Sequence, residues 1–470
     1  MRNHEKERVF AGAQRTFRPP DRLQPPMRAI LRPLGVLGAL LVAASAGAAA
    51  TPKPTRARAD QRPPPRVGPP RAQAGQATAE QALQSALTDE MNAAGSASGS
   101  YVIDLDSGHT LFSRAANVGR TPASVEKLYT TSTALLRFGP NATLTTSVLG
   151  HGFRGRLGTW WGNLYLRGGG DPTFGSSSFD QHWYGTGATM QGLVSNLVHS
   201  GQITALRGRV FGDESYFDSL RSTSESDYQP DYYMEGLLSA LAYDAGFADV
   251  AQTTFQAQPP LFAAQQFVQA LRAAHVNVPS GTPVSSGRTP VGARSLATVH
   301  SPSIATLIQL TNTPSDNFFA EMLLKDIGAR FGGAGTTAAG AAATRAELAG
   351  TFGISPQLVD GSGLSHSDST TPRQVVTVLR KMATNPVFVN SLAVGGETGT
   401  LQNEMQGTPA QGRCRGKTGT LTGVANLVGY CSAANRHTLA FAFLTNSVSD
   451  TSRAHAIEAE MAATLANYDG

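Results

Sequence analysis

Apolar positions recur at helical spacing from about residue 77 (TAEQALQSALTDEMNAAG), and the next stretch, SYVIDLDSGHTLFSRAANV, alternates as strand, turn and strand. A second helical run, VEKLYTTSTALLRFG, starts just after Pro122 and small residues, which places Ser124 at a helix N-terminus with Lys127 one turn later on the same face. Residues 144 to 292 break into short strand patterns with Gly-rich turns and a Pro/Gly/Ser-rich return over 279 to 292, the signature of an insertion. Ser303 to Gly328 carries two helical patterns parted at Thr313-Pro314, so Ser315-Asp316-Asn317 falls on an inter-helix turn. A loop covers 358 to 366. Arg413 to Gly419 and Asn426 to Cys431 read as a hairpin about Thr422-Gly423, followed by a strand from Leu439 to Leu444 and an amphipathic helix from Ala454 to Leu465. This order predicts an α+β architecture with an antiparallel sheet flanked by helices and an inserted strand-rich domain.

The hairpin carries a covalent expectation. A turn centred between Thr422 and Gly423 sets Cys414 directly opposite Cys431, within disulfide reach on neighbouring strands. Alternation turns Cys414 away from Lys417, so the bridge would stiffen the strand without taking part in chemistry.

Charge divides the chain unevenly. Residues 1 to 75 hold fourteen Lys/Arg against four Asp/Glu, while the remainder holds 24 basic and 29 acidic residues. The folded part is therefore mildly acidic and offers no nucleic-acid patch. Leu34 to Ala50 is an uncharged apolar run preceded by Arg28 and Arg32 and ending in small residues, which reads as an export signal or an uncleaved membrane anchor. The shorter unit that starts at Met27 has the proportions of an ordinary signal. Residues 51 to 76 are a Pro/Arg-rich linker. The expected division is thus 1–50 signal or anchor, 51–76 linker, 77–143 with 293–470 the catalytic domain, and 144–292 the insertion. The working domain is expected outside the cytoplasm.

Only six lysines stand among thirty-two arginines, and two of them occupy motifs. Ser124-Val125-Glu126-Lys127 is S-x-x-K, Ser315-Asp316-Asn317 is S-D-N, and Lys417-Thr418-Gly419 is K-T-G. An ammonium can be driven by burial to give up its proton, whereas a guanidinium stays charged, so Lys127 can serve as a base and an arginine could not. The helix N-terminus beneath Ser124 favours a developing oxyanion. Other chemistries lack their marks: there is no H-E-x-x-H for a zinc enzyme and no G-x-S-x-G elbow, and the 168–172 GGGDP turn lacks the G-K-[ST] of a phosphate loop. No metal or cofactor is expected.

The three motifs in this order are those of class A β-lactamases and penicillin-binding proteins. From about residue 77 onward the chain resembles peptidase family S13, the low-molecular-mass class C penicillin-binding proteins, D-Ala-D-Ala carboxypeptidases and endopeptidases of the β-lactamase/transpeptidase fold. The resemblance extends to GGGDP (168–172), SDNFFAE (315–321), DGSGLS (360–365), KTGTLTGVANLVGY (417–430) and the long interval between Ser124 and Ser315. It implies Ser124 as nucleophile, Lys127 as base, Ser315 as proton relay and Asn317 as a holder of the peptide amide. It also implies that Lys417, Thr418 and Thr420 bind the terminal carboxylate, and that peptidoglycan stem peptides and β-lactams are the ligands. The chain departs from the family in its shorter interval and in His366, which follows DGSGLS where arginine is common and is expected beside the substrate side chain. The rival readings are a β-lactamase, disfavoured because no E-x-x-N segment is present, and an idle wall-binding or β-lactam-sensing module.

Overall fold

The computed structural model describes residues 71–470. The 34–50 run, Met27 and the linker before residue 71 lie outside the described residues, among which no helix is long and apolar enough to cross a membrane. Helix α1 (Arg71–Ala94) begins within the segment read as linker, and β1 (Ser98–Asp104) and β2 (Thr110–Arg114) form the expected hairpin. A 3₁₀ turn over Ala123–Glu126 leads into α2 (Lys127–Phe138).

The chain then builds a second sheet. Strands β3 (Thr145–Arg154) and β4 (Thr159–Arg167) pair antiparallel, whereas β5 (Ala205–Arg207) and β6 (Val210–Asp213) join β4 in parallel and β7 (Val284–Ser286) joins β6 the same way. Strand β8 (Arg294–His300) returns antiparallel to β3, so this sheet takes in residues beyond position 292. Helix α3 (Ser177–Trp183) is short, while α4 (Met190–His199) and α5 (Pro259–Ala273) bury Leu193, Leu197, Phe267 and Leu271 against Val148, Leu164 and Leu206 of the sheet. This second sheet therefore has a core of its own, while Phe217, Met234, Leu238 and Phe247 of the same stretch pack into the core around α2 and the next two helices.

Helices α6 (Ile304–Asn312), α7 (Asn317–Phe331), α8 (Thr337–Glu347), α9 (Pro372–Met382) and α10 (Pro386–Asn390) follow. The sheet closes with β9 (Ala393–Val394), β10 (Cys414–Leu421), β11 (Val424–Ser432) and β12 (Thr438–Asn446), before α11 (Thr451–Ala466). Its order is β2-β1-β12-β11-β10-β9, antiparallel throughout. Both faces are covered, which explains why β12 reads as a nearly continuous apolar run. Leu439, Phe441 and Phe443 face Leu87, Met91, Met461 and Leu465 of α1 and α11. Their neighbours Ala440, Ala442 and Leu444 face the core shared with α2, α6, α7 and α9.

The hairpin register is the one the turn predicted: Cys414 pairs with Cys431, and their sulfurs are bonded. Gly423 takes φ 75°, the left-handed turn conformation that glycine adopts without strain. A bridge across a separation of 17 residues contributes roughly 3 kcal/mol in the chain-entropy account. Thiol titration of the unfolded, unreduced protein is expected to find no free thiol. Replacing both cysteines by alanine is expected to lower the unfolding free energy by about 3 kcal/mol. Two titrating thiols would rule the bridge out.

Candidate active site

Ser124 lies in the 3₁₀ turn ahead of α2, and two asparagines of the sheet fix the approach to it. Asn426 donates to the Thr121 and Pro122 carbonyls at 3.1 and 2.8 Å, and Asn446 accepts from the Thr121 N–H at 2.9 Å. The turn is tight: Ala123 has φ 47°, an unfavourable value for a residue with a Cβ, held here by contacts on both sides. Gly419 and Gly363 make those contacts. A Cβ on Gly419 would stand 2.5 Å from the Pro122 carbonyl oxygen, and one on Gly363 would stand 1.9 Å from that of Ala123. Glycine is required at both positions because backbone meets backbone.

Lys127 is fully buried and donates to Ser124 Oγ at 2.8 Å, to Asn317 Oδ1 at 2.5 Å and to the Ser362 carbonyl at 2.8 Å. One ammonium thus joins the S-x-x-K turn, the S-D-N turn and the DGSGLS loop. On the other side of the cleft Lys417, also fully buried, donates to Ser315 Oγ at 2.6 Å and to the Thr418 carbonyl at 2.9 Å. Ser315 has φ 70°, a left-handed conformation that turns the chain between α6 and α7. Asp316 caps α7 by accepting from the Phe319 N–H at 2.8 Å. Asn317 N–H donates to Glu235 at 2.9 Å, and its side-chain amide donates to the Tyr233 carbonyl at 2.6 Å, so the segment between β6 and α5 supplies part of the wall.

Burial lowers Lys127 to about 8, against the opposing pull of Glu235, Asp360, Asp316 and Glu321. Those carboxyls do not restore the ordinary value, because the desolvation of the buried ammonium is the larger effect. Burial raises Glu126 well above the carboxylate range, Glu321 to about 7 and Asp368 to about 9. Lys417 is lowered well below its ordinary value by burial and then by the charge of Lys127.

These acids also shape the DGSGLS loop. Glu321 accepts from the N–H groups of Gly361 and Ser362 at 2.7 Å each, and Asp360 accepts from those of Gly363 and Ser365 at 2.7 and 2.8 Å. The loop in turn aims the Ser362 carbonyl at Lys127. Sequence reasoning left Glu126, Glu321, Asp360 and Asp368 unassigned. Only Glu321 had a usable signal, lying one helical turn beyond Asn317 on α7.

Thr418 and Thr420 point to the opposite side of β10 from Lys417. Thr418 donates to Thr400 Oγ1 at 2.9 Å, and Thr420 Oγ1 is 2.7 Å from His455 Nε2. His366 stands apart from the lysine network, exposed, with Nδ1 3.9 Å from Glu225. Glu225 also accepts from Ser365 Oγ at 2.9 Å.

A profile described as "D-Ala-D-Ala carboxypeptidase 3 (S13) family" matches residues 79–258 and 247–468. A D-alanyl-D-alanine carboxypeptidase of an Actinomadura species is 28% identical, covering 82% of this chain and 84% of that protein. The carboxypeptidase DacB of Mycolicibacterium smegmatis is 30% identical over 75% of this chain and 77% of its own length. Among solved structures, penicillin binding protein 4 (dacB) from Haemophilus influenzae shares the fold with a TM-score of 0.66 at 20% identity, covering 80% of this chain and 97% of that one.

Proposed function

The chain belongs to the D-Ala-D-Ala carboxypeptidase 3 (S13) family, and from that membership we propose a serine D-Ala-D-Ala carboxypeptidase with D,D-endopeptidase action on peptidoglycan stem peptides. The observation that carries this reading is the Ser124 hydroxyl 2.8 Å from the amine of a wholly buried lysine. An idle module would have no use for that contact.

In this mechanism Lys127, as the free amine, takes the Ser124 proton while Oγ bonds to the carbonyl carbon of the penultimate D-alanine. The N–H groups of Ser124 and Thr420 receive the oxyanion, each contributing on the order of 3 kcal/mol to the transition state. Collapse breaks the C–N bond, and Ser315, held by Lys417, passes a proton to the departing amine. Ser315 recovers its proton from Lys127, which restores the free amine; water then attacks the acyl-enzyme carbonyl and gives its proton to Lys127, and the acyl C–O bond breaks as that proton passes to Ser124 Oγ. Asn317 uses its amide to hold the peptide backbone. Lys417 from one face of β10 and Thr418 and Thr420 from the other receive the terminal carboxylate at the strand edge that β9 leaves unpaired beyond Gly416, and His366 with Glu225 meets the stem side chain. A β-lactam follows the first half of this path and stays attached to Ser124. The enzyme acts outside the cytoplasm, delivered there by the 34–50 run.

Incubation with purified uncross-linked and cross-linked muropeptides, read by mass, tests the proposal. Loss of one D-alanine from pentapeptide stems is expected, together with conversion of dimers to monomers. Intact substrates of both kinds alongside a fully folded protein would refute it.

A further inference from the structure

Behind β10, on the side away from Lys417, lies a cavity of about 250 Å³ whose lining includes Thr400, Glu404, Thr418, Thr420, His455 and Glu458. Three of these groups form one line of hydrogen bonds. Glu458 Oε2 is 2.9 Å from His455 Nδ1, and His455 Nε2 is 2.7 Å from Thr420 Oγ1. The carboxylate end is buried, with the Glu458 side chain 1% exposed and that of His455 19%. The hydroxyl end is exposed on the strand that carries Lys417.

Resting on the reading of the cleft given above, we propose that His455 and Glu458 position the Thr420 hydroxyl for the ligand's terminal carboxylate, through a proton on His455 Nε2. A hydroxyl has one proton to give. When Nε2 carries a proton it donates to Thr420 Oγ1, and the Thr420 proton is free to face an anion. When Nε2 is bare it accepts the Thr420 proton, and the hydroxyl presents only lone pairs to the carboxylate.

Glu458 decides how long the first arrangement persists. An imidazolium paired with ionised Glu458, and a neutral Nε2–H ring accepting from protonated Glu458, hold the same number of protons, and both leave Nε2–H pointing at Thr420. Removing one proton from the pair leaves Nδ1–H bonded to the carboxylate and Nε2 bare. The charged groups facing the imidazole are Glu458 from its own helix and Glu404 from the turn before β10. Burial pulls His455 down, but the hydrogen bond to Glu458 and the charges of Glu458 and Glu404 more than offset it, so the net direction is up. Burial likewise raises Glu458 to about 7, against the pull of His455. The donor arrangement therefore prevails at low pH and is lost as the pair releases its proton.

The test compares acylation of Ser124 by benzylpenicillin and by its methyl ester, followed by intact mass from pH 6 to 9. Loss of a proton from Lys127 is common to both ligands and cancels in the ratio of their rate constants, and the charge of Lys417 is common to the unaltered protein and its His455 variants and cancels when their ratios are compared. Measured against His455→Phe, which supplies no N–H at any pH, the acid-to-ester ratio of the unaltered protein is expected to be about tenfold higher at pH 6 and to converge on it by pH 9, the worth of one hydrogen bond to a charged group. His455→Gln supplies an N–H at every pH, so its ratio should stay about tenfold above that of the phenylalanine variant throughout. Parallel ratios for the unaltered protein and the phenylalanine variant, a glutamine ratio that converges on the phenylalanine ratio, or an equal loss for acid and ester in the phenylalanine variant would each overturn the proposal. If the phenylalanine variant does not fold, the glutamine profile, set against that of the unaltered protein, decides alone. Absence of any acylation in the unaltered protein would instead overturn the reading of the cleft itself.

Discussion

Ser124→Ala is expected to abolish covalent attachment of penicillin and to reduce turnover of D-Ala-D-Ala substrates by on the order of 10⁶, the loss typical of removing an essential nucleophile. Ser124 has the buried Lys127 amine at 2.8 Å and lies on a turn whose geometry depends on Gly419 and Gly363. Among the described residues, Ser315 is the other hydroxyl in contact with a buried lysine, Lys417, whose amine also donates to the Thr418 carbonyl. Alanine removes one oxygen from Ser124, a half-buried position, so the variant should fold and melt like the parent. Intact-mass measurement after incubation with penicillin reads the result directly. An adduct of unchanged stoichiometry on the alanine variant would refute the assignment.

Lys127→Arg is expected to lower the acylation rate by about 10² to 10⁴, the usual worth of a positioned base. The charge is retained but the group no longer releases its proton near neutrality. The unaltered enzyme should show a matching pH dependence. Burial lowers Lys127 to about 8, and the active form is the free amine. The acylation rate for an uncharged ligand should therefore climb about tenfold per pH unit below 8 and level off above it. In the arginine variant the limb should vanish. Stopped-flow acylation with a chromogenic β-lactam ester across pH 5 to 10 measures both. A limb unchanged in the variant would assign the base elsewhere, and Lys417, also lowered by burial, would be the next group to replace.

The sequence alone determined what depends on neighbouring residues. Alternation, helical spacing and turn chemistry act over a few positions, which is why the hairpin register, the Cys414–Cys431 pair, the Ser315 turn between two helices and the last strand and helix were all readable. The motifs also named Ser124, Lys127, Ser315, Asn317 and Lys417. Their convergence was an expectation drawn from family resemblance, because Lys127 and Asn317 meet across 190 residues and Lys417 and Ser315 across 102. The tertiary structure decided the rest. It paired β8 with β3, which carries the second sheet past the Pro/Gly-rich stretch at 279–292. It enclosed Glu126, Glu321, Asp360 and Asp368, residues whose types ordinarily signal solvent, and burial raised the proton affinity of each. It also set His455 behind Thr420, on a helix whose pattern showed only that His455 and Glu458 share a face. Burial and long-range contact depend on the whole packed chain, and these are the quantities that set a lysine's proton affinity and decide which hydroxyl faces the ligand.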